Sequence, residues 1–145
     1  MEVNRLGSTK VLKYRVVVDT NILLQAVRNN IDLFEKLADA LVAKFEIIVP
    51  EVVVRELENL RSKGRPIERR EAELVFKTVI SKSRIIPVRE QYSRADDAIL
   101  SVAVDYNAIL LTNDKELRRR ARLLRIPVAR LNIKGRRVFV EGVFD

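Results

Sequence analysis

Val16-Val17-Val18-Asp19-Thr20-Asn21 and Ile109-Leu110-Leu111-Thr112-Asn113-Asp114 decide how this chain reads. Each is an apolar run that stops at small polar residues and a carboxylate, with a helical pattern following. The runs read as buried strands and the polar stops as turns into helices. In a parallel α/β sheet, ligand sites form beyond the carboxyl ends of the strands. Asp19 and Asp114, far apart in sequence, therefore belong on one rim of one sheet.

The alternation continues outward from these two runs. Tyr14 to Val18 reads as the first strand, followed by a helix from about Asn21 to Asn29-Asn30 and a second over Ile31 to Ala43, with Leu33, Phe34, Leu37 and Leu41 at helical spacing. Glu46 to Val49 is a short strand closed by Pro50, a good first helical residue. Glu51 to Ser62 is a helix stopped by Lys63-Gly64-Arg65-Pro66, and Ile67 to Ser81 is another. Strands over Arg84 to Val88 and Ala108 to Leu111 flank an apolar helix over Ser93 to Asn107. A basic helix over Lys115 to Arg125 leads to a last parallel strand, Pro127 to Leu131. In the tail, Asn132 to Asp145, Lys134-Gly135 is a turn and Val138, Phe139 and Val140 are strand formers, as for a hairpin on the sheet edge or a dimer contact.

This order predicts an α/β three-layer sandwich: a central, mainly parallel, twisted sheet of about five strands between helices, plus a C-terminal β tail. No repeat, linker or composition shift divides the chain. Residues 1–145 are expected to form a single domain, with a core over 14–131 and a tail over 132–145.

Composition restricts the chemistry. The 145 residues are 48% hydrophobic and 33% charged, which excludes disordered and fibrous classes. No stretch is long and apolar enough to span a bilayer. Met1 to Tyr14 lacks the continuous apolar segment of a signal peptide, so a soluble cytoplasmic protein is expected. There is no Cys, hence no thiol nucleophile or thiolate metal site, and no His, hence no Ser-His triad or imidazole base. Catalysis would rest on carboxylates, lysines, tyrosines or hard cations, and carboxylate and water ligands suit Mg²⁺ or Mn²⁺. The formal charge of +8 favours a polyanionic partner.

Four acids stand out. Asp19 follows a strand and precedes a helix, a position that suits a helix cap as well as a site residue. Thr20 and Asn21 are placed to hold it by hydrogen bonds. Glu56 shares a helical stripe with Val49, Val52, Val53, Leu57 and Leu60; a buried carboxylate there needs a cation, a basic partner or a wet cleft. Asp96 lies at the margin of a buried face with Leu100, Ala103 and Asn107. Its rival reading is a capping box in Ser93-Arg94-Ala95-Asp96. Asp97 falls with Arg94, Ser101 and Asp105 on the polar face, as a solvated neighbour of the site. Asp114 repeats the ambiguity of Asp19, with Thr112 or Asn113 as alternative caps. Two carboxylates about 5 Å apart at an effective dielectric of about 20 repel by about 3 kcal/mol. Four in one pocket would require a divalent ion or strongly raised pKa values.

With these motifs in place, residues 14 to about 131 resemble the PIN-domain ribonucleases. The hydrophobic-Asp-Thr-Asn pattern of that family is matched by Val18-Asp19-Thr20-Asn21. Its short Val…Glu-Leu helix after a Pro is matched by Val49-Pro50-Glu51-Val52-Val53-Val54-Arg55-Glu56-Leu57. Its third acid, three residues before Ile, is matched by Asp96 and Ile99, and its Thr-x-Asp by Thr112-Asn113-Asp114. The resemblance implies a Mg²⁺- or Mn²⁺-dependent endoribonuclease selective for single-stranded RNA, with Asp19, Glu56, Asp96 and Asp114 as metal-holding catalytic residues. Thr112-Asn113-Asp114-Lys115-Glu116-Leu117 and Arg118-Arg119-Arg120 resemble the archaeal and eukaryotic rRNA-processing branch more than the VapC-type toxins of toxin–antitoxin pairs. The expected partners beside single-stranded RNA are a ribosome-assembly factor or an antitoxin, with a homodimer as a further expectation from the tail. Arg118, Arg119, Arg120 and Arg122, with Arg125 beyond them, form an expected phosphate grip, and Lys63 and Arg65 a second. A solvated helix face is the ordinary alternative.

Two other classes compete. A receiver-type signalling domain needs an Asp ending a central strand and a Lys near the last one; Arg84 to Val88 ends without the first and Pro127 to Leu131 lacks the second. A non-catalytic RNA- or protein-binding PIN scaffold would keep the fold without turnover.

Overall fold

The computed structural model describes residues 2–3, 9–10, 12–89, 91–92 and 94–142. Its elements run β1 (Glu2–Val3), β2 (Thr9–Lys10), β3 (Tyr14–Val18), α1 (Thr20–Arg28), α2 (Leu33–Leu41), β4 (Phe45–Pro50), α3 (Glu51–Lys63), α4 (Pro66–Thr78), β5 (Arg84–Ile86), α5 (Ala95–Asp105), β6 (Ile109–Leu111), α6 (Lys115–Leu123), β7 (Val128–Asn132) and β8 (Arg137–Glu141). A 3₁₀ turn, Ile80–Lys82, joins α4 to β5. Among the described residues β1 and β2 pair only with each other. All other strands form one sheet in the order β5-β4-β3-β6-β7-β8.

Five of those six strands are parallel, and β8 returns antiparallel to β7. The tail therefore forms the sheet-edge hairpin, with Lys134 and Gly135 in its turn; Val143 to Asp145 lie outside the described residues. Right-handed crossovers put α1 to α4 on one face of the sheet and α5 and α6 on the other, giving the three-layer α/β sandwich. The central strands are apolar where both faces are covered: Val16, Val17, Val18, Ile47, Ile48, Val49, Leu110 and Leu111 are fully buried.

The chain builds outward from β3 to β4 and β5, then crosses back to place β6 on the other side of β3. This reversal is the topological switch point, where a crevice opens above the strand ends. Val18 pairs with Leu111 in register, so the two polar stops begin side by side.

Helix ends follow local chemistry. Asp32 caps α2 by accepting from Phe34 N at 3.0 Å and Glu35 N at 3.3 Å, which moves the expected start from Ile31 to Leu33. Gly64 closes α3, where a Cβ would stand 2.5 Å from the Leu60 carbonyl oxygen, so the turn between α3 and α4 accepts no side chain. Pro66 then opens α4, where its missing N–H costs nothing.

Candidate functional site

The crevice at the switch point begins with Asp19. It is only 7% exposed, because β3 delivers it directly into the start of α1. One carboxylate oxygen accepts from the Ile22 backbone N–H at 2.8 Å. The other accepts from the Thr112 hydroxyl, which arrives from the neighbouring strand end. Asp19 is thus a helix cap and a crevice residue at once. Burial raises its pKa above the ordinary aspartate value, and the charges of Asp114 and Asp96 add to that rise. The bonds from Thr112 and Ile22 pull the other way. Asp19 therefore feels the charge of both other aspartates.

Thr112, fully buried, links two of them. Its hydroxyl donates to Asp19 and accepts from the Asp114 backbone N–H at 3.1 Å. Asp114 itself caps α6, its carboxylate accepting from Leu117 N at 2.9 Å, so neither Thr112 nor Asn113 plays that part. Asn113 faces the other way. It donates to the Leu131 carbonyl oxygen and accepts from the Leu131 N–H, both at 2.8 Å, extending the β6–β7 ladder with a side chain. It also donates to Gln25 Oε1 of α1 at 3.3 Å.

Glu56 comes from α3. The Thr20 hydroxyl donates to its Oε2 at 3.1 Å, tying it to the residue after Asp19. Glu56 is exposed, however, not buried as its stripe suggested. α3 packs through Val53, Val54 and Leu57, because it rests on α4 as well as on the sheet. That arc is rotated from the expected one, leaving Val52 half-buried and Glu56 on the wet rim. No Arg pairs with Glu56 among the described residues.

Asp96 opens α5, half-buried, with Arg94 Nη2 at 3.6 Å from its Oδ2. Arg94 caps this helix without a side-chain bond, and Ser93, on which the capping-box reading rests, lies outside the described residues. Asp97 turns away to Arg120 at 2.6 Å. Asn21 is exposed and makes no side-chain hydrogen bond among the described residues.

The expected arginine grip is largely occupied. Arg119 is bound to Glu116 at 2.6 Å, Arg120 to Asp97, and Arg122 to Glu141 at 2.9 Å. Arg118 folds inward: Nη1 donates to the Thr112 carbonyl oxygen at 3.2 Å, and its buried Nε has no partner among the described residues. Arg65 pairs with Glu68, while Lys63 is exposed. Sequence reading missed Arg94 as the neighbour of Asp96 and Gln25 as the anchor of Asn113. A two-residue offset signals the first; no local pattern signals the second.

Among the described residues, no three carboxylates are gathered into a ready-made metal cage. The donor set is nevertheless all carboxylate oxygen, with His and Cys absent from the chain, which is the chemistry of Mg²⁺ or Mn²⁺.

Comparison with known proteins bears on the family and the fold. The family described as PIN like domain matches residues 16–134. The ribonuclease VapC9 of Archaeoglobus fulgidus is 36% identical over 141 residues, covering 97% of this chain and 98% of the relative. The rRNA-processing protein fcf1 of Schizosaccharomyces pombe is 31% identical over 134 residues, 91% of this chain but 65% of that protein. Among solved structures, the PIN domain endonuclease Utp24 superposes with a TM-score of 0.71 at 29% identity, covering 91% of this chain and 94% of that one.

Proposed function

This chain belongs to the PIN-like domain family, and on that premise we propose that it is a divalent-metal-dependent endoribonuclease hydrolysing single-stranded RNA. Residues 1–145 act as one unit in this reading. The carrying observation is the buried Asp19 carboxylate, whose pKa is raised by burial and by the charges of Asp114 and Asp96. A buried anion beside two others is costly unless a cation completes it.

Asp19, Asp96, Asp114 and Glu56 would hold Mg²⁺ or Mn²⁺. The chemistry supplied there would be a lowered pKa for an attacking water and stabilisation of the departing phosphodiester oxygen. The chain's own groups orient the holders. Ile22 N–H and the Thr112 hydroxyl fix the two oxygens of Asp19. Thr20 positions Glu56, and Leu117 N–H positions Asp114. Arg94 offsets the charge of Asp96 at the solvent side.

The substrate in this reading is ribosomal RNA under maturation, as the name of the rRNA-processing relative fcf1 suggests. A toxin role is the second reading, favoured by the end-to-end match to VapC9. Association with pre-ribosomal particles supports the first, and co-purification with a small DNA-binding antitoxin supports the second. None of the described helices is long and apolar enough to cross a membrane; the reading places the enzyme in the cytoplasm.

The activity test uses a labelled single-stranded RNA with Mn²⁺, with EDTA and with Asp19→Asn. Cleavage by the wild type in Mn²⁺ alone is expected. Equal cleavage by Asp19→Asn would overturn the assignment.

A further inference from the structure

Among the described residues β8 makes no hydrogen bond to Asp19, Glu56, Asp96 or Asp114, and it lies beyond the residues matched by the family. Its side chains alternate. Val138 is buried and Val140 half-buried on one face, while Arg137, Phe139 and Glu141 share the other. Glu141 binds Arg122 of α6, which identifies that face as the α6 side of the sheet.

On this face Phe139 stands directly opposite Arg130 of β7. The Arg130 guanidinium carbon lies 4.6 Å from the ring centroid, and that of Arg137 lies 5.2 Å from it. Neither arginine has a carboxylate partner among the described residues. They differ in this from Arg119, Arg120 and Arg122, each held by an acid of its own. A guanidinium fixed by stacking on a ring keeps its charge, and its N–H donors remain free in their own plane. A guanidinium fixed by a carboxylate has already committed donors to an anion.

Position adds to the chemistry. Arg137 pairs in register with Asn132, the last residue of β7, so the pair begins at the rim where the parallel strands end. β7 lies next to β6, the strand that leads into Asp114. A polyanion leaving the acid crevice along this edge meets two unneutralised guanidiniums, Arg130 one strand from β6 and Arg137 two.

We infer that Arg130 and Arg137, held apart by Phe139, form a phosphate clamp for single-stranded RNA bound at the acid crevice. The inference deepens the endoribonuclease reading and rests on it for the identity of the strand. The clamp binds the backbone through charge and donor geometry, so it adds affinity without base preference. The arginine run of α6, prominent in the sequence, contributes less because its charges are spent internally.

The test measures fluorescence anisotropy of a short fluorescein-labelled single-stranded RNA in EDTA, where binding is read without cleavage, over a range of salt. The double variant Arg130→Gln/Arg137→Gln should bind roughly tenfold more weakly, with a log K against log salt slope shallower by about 1.4, two contacts at roughly 0.7 each. Phe139→Leu keeps an apolar residue in the strand but removes the π face, and should weaken binding about threefold. Arg119→Gln should weaken it less than either arginine of the clamp. Thermal melts show whether each variant is folded. Unchanged affinity and slope in a folded double variant would overturn the clamp, as would a larger loss from Arg119→Gln. Poly-glutamate binding as tightly as RNA, with the same arginine dependence, would overturn it in favour of an acidic protein partner. Cleavage in Mn²⁺ is scored separately. A wild type that cuts RNA, with a double variant that binds it normally, removes the clamp and leaves the enzyme. A wild type that never cuts, with clamp-dependent binding, removes the enzyme and leaves the clamp.

Discussion

The chain uses one local device twice, and the two copies differ in what surrounds them. At β3–α1 and at β6–α6 an apolar strand ends in an aspartate that caps the next helix, Asp19 on Ile22 and Asp114 on Leu117. The caps have nearly the same length, 2.8 and 2.9 Å. Asp19 is sunk between neighbouring strands and receives the Thr112 hydroxyl as well, whereas Asp114 faces solvent. β3 and β6 are the two middle strands of the sheet, but Asp19 follows Val18 directly whereas Thr112 and Asn113 carry Asp114 clear of β6, so one motif yields a buried charge and an exposed one. The aspartate itself sets the cap, and its distance from the strand end sets the electrostatics.

The sharpest way to separate the copies is to neutralise each. Asp19→Asn should lower RNA cleavage by about a thousandfold or more, as for loss of a group acting directly on the transition state. Asp114→Asn should lower it by only about 10–100-fold, the scale of a group working through another ligand. Single-turnover cleavage in saturating Mn²⁺ measures both. Equal losses would mean that burial does not divide their roles.

Stability should answer in the opposite sense. The pKa of Asp19 is raised on folding, so the folded state holds that proton more tightly than the unfolded chain does. The protein without metal therefore loses stability as pH rises from the ordinary aspartate value through the raised one, and the loss is complete above it. Glu68, Glu71 and Glu116 are lowered by their arginines and act in reverse, losing stability as pH falls. Subtracting the Asp19→Asn melting profile from that of the wild type in EDTA isolates the first effect. Mn²⁺ should stabilise the wild type by mass action and leave Asp19→Asn nearly unmoved.

Thr112→Val tests the link between the copies. The hydroxyl lowers the pKa of Asp19 and accepts the Asp114 N–H, so its loss should raise that pKa further. It should also cost about 1–3 kcal/mol, the scale for stranding a buried polar partner. A pH–rate profile whose acid limb moves upward identifies the electrostatic part; a lower melting temperature without that shift would reduce Thr112 to packing.

Much of this was legible in the residues. The strand-then-acid runs place Asp19 and Asp114 on one rim because strand polarity and helix capping are local properties. The hairpin at the sheet edge follows from a turn between strand formers. Glu56 was misread because helical spacing gives a stripe but not its centre. α3 packs on two surfaces, and an error of one residue rotates the helix by about 100°. The arginines of α6 were legible as charge but not as commitments, since Asp97 and Glu141 approach from elements distant in sequence. Phe139 and Arg130 become neighbours only through the β7–β8 register.

The smallest expected effect compares the two asparagines of the paired motifs. Asn21 and Asn113 both sit beside an aspartate at a strand end, and both fit the role of holding it. Asn113 instead bridges to Leu131 through two bonds and to Gln25 through a third, closing the ladder where β6 and β7 diverge. Asn113→Ala leaves the Leu131 N–H without that partner and should cost about 1–2 kcal/mol. Asn21→Ala removes an exposed side chain and should change stability by less than about 0.5 kcal/mol. Denaturant unfolding resolves the difference. A substantial loss of stability in Asn21→Ala, or none in Asn113→Ala, would mean that the side-chain bonds at the strand end do not determine which asparagine the fold depends on.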